Sequence, residues 1–369
     1  MPISAVDAMG PAFEHTKQQL LKPFRINQWA KLALVGFLAG ELSSGGGGCS
    51  APNIPQMPRN TDDSQHLFGT FGGMNLPNWD PKTIALAITF FIVVGFFLWL
   101  LFIYLNSVMR FVLFDSVITK KCSIRESWRR RYEAGMRFFL WQIGLALVSL
   151  GSIAVLIGIP AAIGFSLGWF KEPGDHVLAL VLGGIFAFMI FFLFIGGMLV
   201  VTVLTKDFVV PQMALENLTA IEGWRRLWPM MKSEKGGYAG YIGMKIVLAL
   251  GAAILFGIIS TIAMFIMLIP FGALGVAAVL AGKAAGMTWT VVTISWAVVA
   301  VIIAFLIMMY VVSFISVPGI VFFPAYSLYF FAARYPALNA ILNPAPPAPA
   351  IAAAPPAPPP YLPPPEPIG

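Results

Sequence analysis

VLALVLGGIFAFMIFFLFIGGMLVVTVLT, residues Val177 to Thr205, contains no aspartate, glutamate, lysine or arginine. A helix needs roughly 20 apolar residues to cross the hydrocarbon core of a bilayer, so this run is long enough to span a membrane. Four more runs without these charged residues occur along the chain: Thr83 to Met109, Phe138 to Phe170, Ile246 to Gly282 and Ala284 to Ala333. The pattern predicts an integral membrane protein.

The composition agrees, because only 11% of the 369 residues are charged and 59% are hydrophobic, whereas soluble proteins average about 25% charged residues. We predict an all-α fold, a polytopic membrane helical bundle with about six transmembrane helices. The predicted spans are about 27–46, 83–107, 138–160, 177–204, 246–269 and 288–315. The other predicted segments are an interfacial N-terminal helix at 1–26, an extracytoplasmic loop at 47–82 and a proline-rich disordered tail at 336–369.

The first span is the shortest, and a cleaved lipoprotein-type signal before Cys49 is its alternative. Asn343 to Gly369 contains 13 prolines, a composition that favours extended polyproline II over a packed core.

The basic residues predict the orientation. Placing both termini on one side, together with the connections at 109–138 and 205–246, gives that side 19 of the 23 lysines and arginines. Positively charged connections stay cytoplasmic, so we predict a multi-pass protein of the bacterial cytoplasmic (inner) membrane with both termini in the cytoplasm. Because these cations lie beside membrane spans, their predicted partner is membrane lipid, anionic lipid in particular, and not nucleic acid.

An internal repeat relates SIRESWRRRY, Ser123 to Tyr132, to TAIEGWRRLW, Thr219 to Trp228. In each copy a hydroxyl residue precedes a glutamate by three positions, which predicts a capping box at the start of a helix. The repeat units cover about 110–205 and 206–318, and each holds two spans, so the copies face the same way as a parallel repeat. Close helix contacts are predicted at Gly36/Gly40 and Gly164/Gly168.

The repeated helices carry aromatic and apolar residues on one face and arginines beside them, which is typical of amphipathic helices in the membrane interface. We therefore predict that they bind lipid headgroups. The candidate residues are Trp128, Arg129, Arg130, Trp224, Arg225 and Arg226.

The stretches NQWAKLALVGFLAGELSSGGGG, KDFVVPQMALENLTAIEGWRRLWPMMK and VPGIVFFPAYSLYFF resemble a bacterial family of multi-span membrane proteins of unknown function. That family is distantly similar to the membrane domain attached to some glycerophosphoryl diester phosphodiesterases. The resemblance covers roughly residues 20 to 335 and implies no biochemical role. The phosphodiesterase domain itself is not part of it, so that activity is not implied.

Other sites are few. Glu41 is the one acid predicted inside a span, and intramembrane acids often mark transport pathways, although at the end of its span it could simply reach water. Asp115 is predicted to be a helix-surface residue or the partner of an arginine. We predict no catalytic residues, metal ligands or cofactor, since the three histidines lie far apart in the sequence and show no ligand spacing.

These features favour a non-enzymatic membrane protein with a membrane-organising or lipid-interacting role. A small-solute or lipid transporter that uses Glu41 is the first alternative. An assembly or accessory factor for another membrane protein is the second, and it would bind that protein as a partner.

Overall fold

The computed structural model describes residues 3–41, 81–169, 174, 176–286 and 291–344. All regular secondary structure in these ranges is helical, which confirms the all-α prediction. The helices are α1 (Met9–Leu21), α2 (Ile26–Leu38), α3 (Pro81–Thr119), α4 (Ile124–Ser166), α5 (Val177–Leu204), α6 (Val210–Glu216), α7 (Ala220–Ser233), α8 (Lys235–Ala284), α9 (Val291–Ile315), α10 (Val317–Ala332) and α11 (Pro336–Leu342). A π-helical turn, Thr205–Val209, joins α5 to α6.

Five segments in the described ranges are helical, long and apolar enough to cross a membrane: Thr89–Thr119, Ile124–Ser166, Leu180–Glu216, Lys235–Ala284 and Ser295–Ile315. Their side chains are mostly exposed, as at Phe186 (68%) and Leu193 (76%). Apolar surface on this scale is unfavourable in water and favourable in lipid. The architecture is consistent with an all-α membrane bundle.

The long helices extend well beyond a bilayer. Helix α4 has 43 residues, about 65 Å at about 1.5 Å per residue, against a hydrocarbon core of about 30 Å. The buried residues gather near one end of these helices. We call this region the packed base; it consists of α1, α2, the end of α3 from 107 to 117, the start of α4 from 127 to 138, the π-helical turn, α6, α7, the start of α8 from 238 to 245, α10 and α11.

The first predicted span, about 27–46, is a shorter helix in the structure. Helix α2 has 13 residues, about 20 Å long, and residues 42–80 lie outside the described ranges. Gln28 donates to the carbonyl of Lys120 (2.9 Å), and Arg110 donates to that of Ala39 (3.1 Å), so α2 runs antiparallel to the end of α3. The described ranges therefore contain five candidate spans instead of six, and α2 packs into the base.

The two repeat copies also differ from each other. In the first, the predicted interfacial helix and the span at 138–160 form one continuous helix, α4, and the side chain of Ser123 makes no capping hydrogen bond. The predicted helix start directly after Ser123 is confirmed. The predictions of a capping box and of a separate helix are wrong in this copy, and no proline interrupts the helix between the basic turns and the span. The basic residues occupy the first turns of a long helix.

In the second copy, a separate helix is confirmed. Helix α7 begins after Thr219, whose hydroxyl accepts from the Glu222 N–H (3.3 Å) while the Glu222 carboxylate accepts from the Thr219 N–H (2.8 Å). This is the predicted capping box. The helix contains Pro229 and ends at Ser233, and a single residue, Glu234, separates it from α8. The repeat itself stays a prediction.

Two glycines allow close helix contacts in the base. A Cβ on Gly135 of α4 would lie 2.6 Å from Val108 Cγ2 and 3.0 Å from Val108 Cα, so α3 and α4 approach at backbone distance there. A Cβ on Gly36 would lie 2.6 Å from Ile320 side-chain atoms of α10. Gly36 is thus a packing position, as its spacing predicts, whereas a Cβ on Gly168 would meet no atom of the described residues within 4 Å.

Helix α1 lies within the predicted N-terminal segment, 1–26, and within the base it packs against the end of α3. His15 Nε2 lies 2.8 Å from the carbonyl oxygen of Val117, and Gln19 Nε2 donates to the carbonyl of Ser116 (2.9 Å). Burial lowers the pKa of His15, which favours its neutral form in the folded protein.

Two other segment predictions fall mainly outside the described residues. The predicted loop, 47–82, lies outside them up to residue 80. The predicted disordered tail, 336–369, is wrong at its start, because α11 (Pro336–Leu342) is helical and buries Leu338. Pro336 occupies the first helical position, where its missing N–H is not needed. Residues 345–369 lie outside the described ranges.

Candidate functional site: a buried charge cluster and a basic pocket

Five charged residues from four segments meet in the packed base. They are Glu41, Arg110, Lys206, Asp207 and Lys245, and we call them the charge cluster. Lys206 pairs with Glu41, and Lys245 pairs with Asp207. The exposed fraction is only 2% for Glu41, 4% for Asp207 and 7% for Lys245. Such groups stay charged when buried only if partners replace the lost water. Each acid therefore needs its lysine, and each lysine needs its acid.

The π-helical turn places two of these residues. Pro211 has no N–H to donate to the carbonyl of Asp207, four residues earlier, and its ring crowds that carbonyl. The Val210 N–H instead donates to the carbonyl of Thr205, five residues back. The wider turn directs Lys206 to Glu41 and Asp207 to Lys245. Turns of this type are frequent at functional sites.

Asp207 has a second partner. The hydroxyl of Tyr241 donates to Asp207 Oδ2 (2.9 Å), and the Tyr241 ring stacks on Tyr326 of α10, with centroids 5.3 Å apart. A cavity of about 30 Å³ lies among the cluster residues and Ser327, space for about one or two water molecules. The cluster therefore ties the π-helical turn to α8 and α10.

The structure puts the predicted intramembrane acid, Glu41, in this cluster. Its side chain pairs with Lys206 and is buried, so the alternative in which it simply reaches water is wrong. A role of Glu41 in transport stays a prediction. Asp115 is an arginine partner, as its other reading predicts. Arg131 binds both of its carboxylate oxygens (2.9–3.2 Å).

A second site is an open pocket of about 760 Å³ at the start of α4. We call it the basic pocket; it is lined by Lys31, Ser123, Ile124, Arg125, Glu126, Trp128 and Arg129. The only acid in this lining, Glu126, pairs with Arg130 (2.8 Å). Within the described part of the chain, Lys31, Arg125 and Arg129 form no ion pair. The pocket therefore presents three cations to an incoming anion.

The six predicted lipid-binding residues do not form one site. Trp128 and Arg129 line the basic pocket, and the half-buried Trp128 ring lies edge-on to that of Tyr104 (6.1 Å). In the second copy, Trp224 is also half-buried and donates its indole N–H to the Thr205 hydroxyl (3.0 Å). Both tryptophans pack against the buried core on one side.

The arginines of the second copy are exposed on α7. Arg226 pairs with Glu216, and this contact raises the pKa of Arg226. The hydrogen bonds from Thr219 lower the pKa of Glu222, so the capping carboxylate keeps its charge next to the helix N-terminus. Arg225 remains on the surface without an ion pair among the described residues.

Sequence reasoning missed most of the charge cluster and part of the basic pocket. Arg110 begins RFVLFDSV and Lys206 begins KDFVVPQM, two similar stretches just upstream of the repeat copies. Their similarity was a signal that the two positions correspond. Lys245 stands just before a span and looks like an ordinary flanking cation. Lys31 is distant in sequence from Arg125, and only the packing of α2 on α3 brings them together.

The sequence model described as a family of unknown function, DUF7544, matches residues 3–341. The chain belongs to this family. The match covers every described helix but the last residue of α11, so the charge cluster and the basic pocket both lie within the family region. No curated protein and no solved structure matches the chain. The predicted membership of a family of unknown function is confirmed.

Proposed function

We propose that this chain is a non-enzymatic integral membrane protein that binds anionic lipid headgroups through the basic pocket. The observation that carries the proposal is the grouping of Lys31, Arg125 and Arg129 beside Trp128, with the one acid of the lining engaged elsewhere. Each lysine or arginine near a membrane surface contributes about 1 kcal/mol to binding anionic lipid. Tryptophan is enriched at the headgroup level.

The resemblance to the membrane domain attached to some glycerophosphoryl diester phosphodiesterases stays a proposal. This resemblance supports a location in the membrane, and it does not indicate any enzymatic activity. The family match adds no activity either. The proposal therefore rests on the geometry of the pocket and on the long apolar helices beside it.

Arg125→Gln combined with Arg129→Gln is expected to weaken binding of phosphatidylglycerol about thirtyfold, because two contributions of about 1 kcal/mol are lost. Binding of zwitterionic phosphatidylcholine should hardly change. The measurement is lipid retention by the detergent-solubilised protein in native mass spectrometry, with each lipid added in turn.

The matched control is Arg225→Gln combined with Arg226→Gln, which removes the same charge from α7. We expect a smaller loss there, because Arg226 is already paired with Glu216. Equal losses in both double variants would assign the binding to the basic surface as a whole. Unchanged phosphatidylglycerol binding in the first variant would refute the proposed site.

We also propose that the packed base faces the cytoplasm of a bacterium and that the membrane is the inner one. The base contains the basic connections at 109–138 and 205–246, and cytoplasmic segments carry the excess of lysine and arginine. Helix α1 packs against α10 within the base, so in this orientation it lies on the cytoplasmic side as well.

The two cysteines test the orientation. A membrane-impermeant thiol reagent applied to spheroplasts is expected to label Cys49 and to spare Cys122, which lies between α3 and α4 in the base. Burial raises the pKa of Cys122, so the labelling of permeabilised cells under denaturing conditions is the control for reactivity. Labelling of Cys122 in intact spheroplasts would reverse the orientation.

A further inference from the structure

A cleft of about 410 Å³ opens between α3, α4 and α5, next to the charge cluster. Its walls are apolar, with Phe102, Ile103, Leu145, Ala146 and Met198 among them. Small-molecule sites typically have volumes of about 300–1,000 Å³ and mostly apolar walls. The cleft has the size of a ligand site, and it lies among helices whose apolar faces are exposed.

Two residues that line the cleft each carry a buried hydrogen-bond donor without an acceptor in the described part of the chain. The donors are Arg110 Nε and Trp141 Nε1. Another guanidinium nitrogen of Arg110 donates to the carbonyl of Ala39 (3.1 Å), and the guanidinium lies 5.6 Å from the ring centre of Phe138. A buried donor with no acceptor is costly and rare in native proteins. Both donors point to a ligand that supplies acceptor oxygens.

The charge balance indicates that this ligand is an anion. Arg110 lines both the charge cluster and the cleft. Among the described residues, the cluster holds three cations and two carboxylates, and both carboxylates pair with lysines. Arg110 interacts with Glu41 and Asp207 only at longer range. A buried cation without its own counter-charge is strongly unfavourable, so an anion in the cleft would supply the missing negative charge.

We propose that the cleft binds an amphiphile with an anionic head, a carboxylate or a phosphate, and an acyl chain. The head accepts hydrogen bonds from Arg110 and Trp141, and the chain lies along the apolar walls. An inorganic anion alone would leave those walls without a partner, and water alone would leave the charge of Arg110 without a partner. This site is separate from the basic pocket, which lies on the surface at the start of α4.

The test uses the full chain in nanodiscs of phosphatidylcholine and a palmitic acid that carries a photoreactive diazirine on its chain. We expect adducts on peptides that line the cleft, in α3, α4 and α5. Palmitate should compete for the labelling, and methyl palmitate, which has no charge, should compete at least about tenfold less well, a difference of about 1.4 kcal/mol. Lysophosphatidic acid distinguishes the two heads, since the better competitor identifies carboxylate or phosphate.

Two alanines of α4 provide a matched pair of variants. Ala146 lines the cleft, whereas Ala154, two turns further along the same helix, does not. Ala146→Phe is expected to fill the cleft and reduce specific labelling about tenfold, while Ala154→Phe leaves it unchanged. Trp141→Phe keeps an aromatic ring but removes the donor, and it should weaken palmitate competition.

Arg110→Gln should abolish the preference for palmitate over methyl palmitate. If that variant does not fold, the two alanine variants still decide the question. Labelling spread evenly over all exposed apolar helices, equal labelling of the Ala146→Phe and Ala154→Phe proteins, or equal competition by the acid and its methyl ester would each overturn the proposal.

Discussion

Asp207→Ala is expected to lower the free energy of unfolding by about 3–5 kcal/mol, because it leaves the Lys245 ammonium buried without its carboxylate. Asp207 has an exposed fraction of 4% and also accepts from the Tyr241 hydroxyl (2.9 Å). The variant therefore removes the partner of a cation and of a hydroxyl at once. The measurement is an SDS titration in mixed micelles, followed by loss of helical circular dichroism.

A double variant separates the charge effect from the loss of packing. Asp207→Leu combined with Lys245→Met replaces both charges with apolar groups of similar size, and such replacements are often close to neutral. We expect it to recover most of the stability lost in Asp207→Ala. Adding the single variants Asp207→Leu and Lys245→Met completes a double-mutant cycle, which gives the coupling between the two positions. If the double variant is as unstable as the single one, the carboxylate does not act by neutralising Lys245.

An exposed pair on α4 is the control. Arg130 and Glu126 are one helical turn apart and lie mostly in solvent, with side-chain exposures of 56% and 64%. Arg130→Ala should cost about 0.3–0.5 kcal/mol, as is usual for exposed pairs at this spacing. The Asp207–Lys245 and Glu126–Arg130 pairs each consist of one acid and one base and differ in burial. A larger loss of stability at the first pair would therefore show that burial causes the difference.

The sequence was sufficient for the fold class and for most of the long helices. Charge-free runs longer than a bilayer crossing are a strong signal, and all five candidate spans overlap predicted ones. The sequence was not sufficient where tertiary packing determines whether an apolar helix spans the membrane. Helix α2 has the apolar composition of a span, but its 13 residues end close to Glu41, which is held in the base by Lys206.

The candidate sites were only partly predictable, for a physical reason. Local patterns report which residues share one helix, so the Trp128 and Arg129 side of the basic pocket was found. Lys31 and Arg125 meet only because α2 folds back along α3, and local sequence carries no information on that contact. The charge cluster depends in addition on a π-helical turn, whose sequence signal, Pro211, predicts a distortion but not the partners that it brings together.

Phe208→Ala is expected to cost about 3–5 kcal/mol of unfolding free energy, the usual range for truncating a buried phenylalanine. Phe208 is fully buried in the π-helical turn, and its ring lies 5.0 Å from that of Tyr241 and 5.2 Å from that of Phe331. It therefore joins the turn to α8 and α10 beside the charge cluster. Truncation would leave a cavity that these rigid rings cannot fill by small shifts.

Phe186→Ala on the preceding helix α5 removes the same atoms from a side chain that is 68% exposed. We expect a change within about 0.5 kcal/mol, as for most surface substitutions. Hydrogen exchange adds a local readout, because Phe208→Ala should also reduce the amide protection of α10, whereas Phe186→Ala should not. If the two truncations lower the free energy of unfolding equally, burial of Phe208 in the packed base does not contribute the stability that we assign to it.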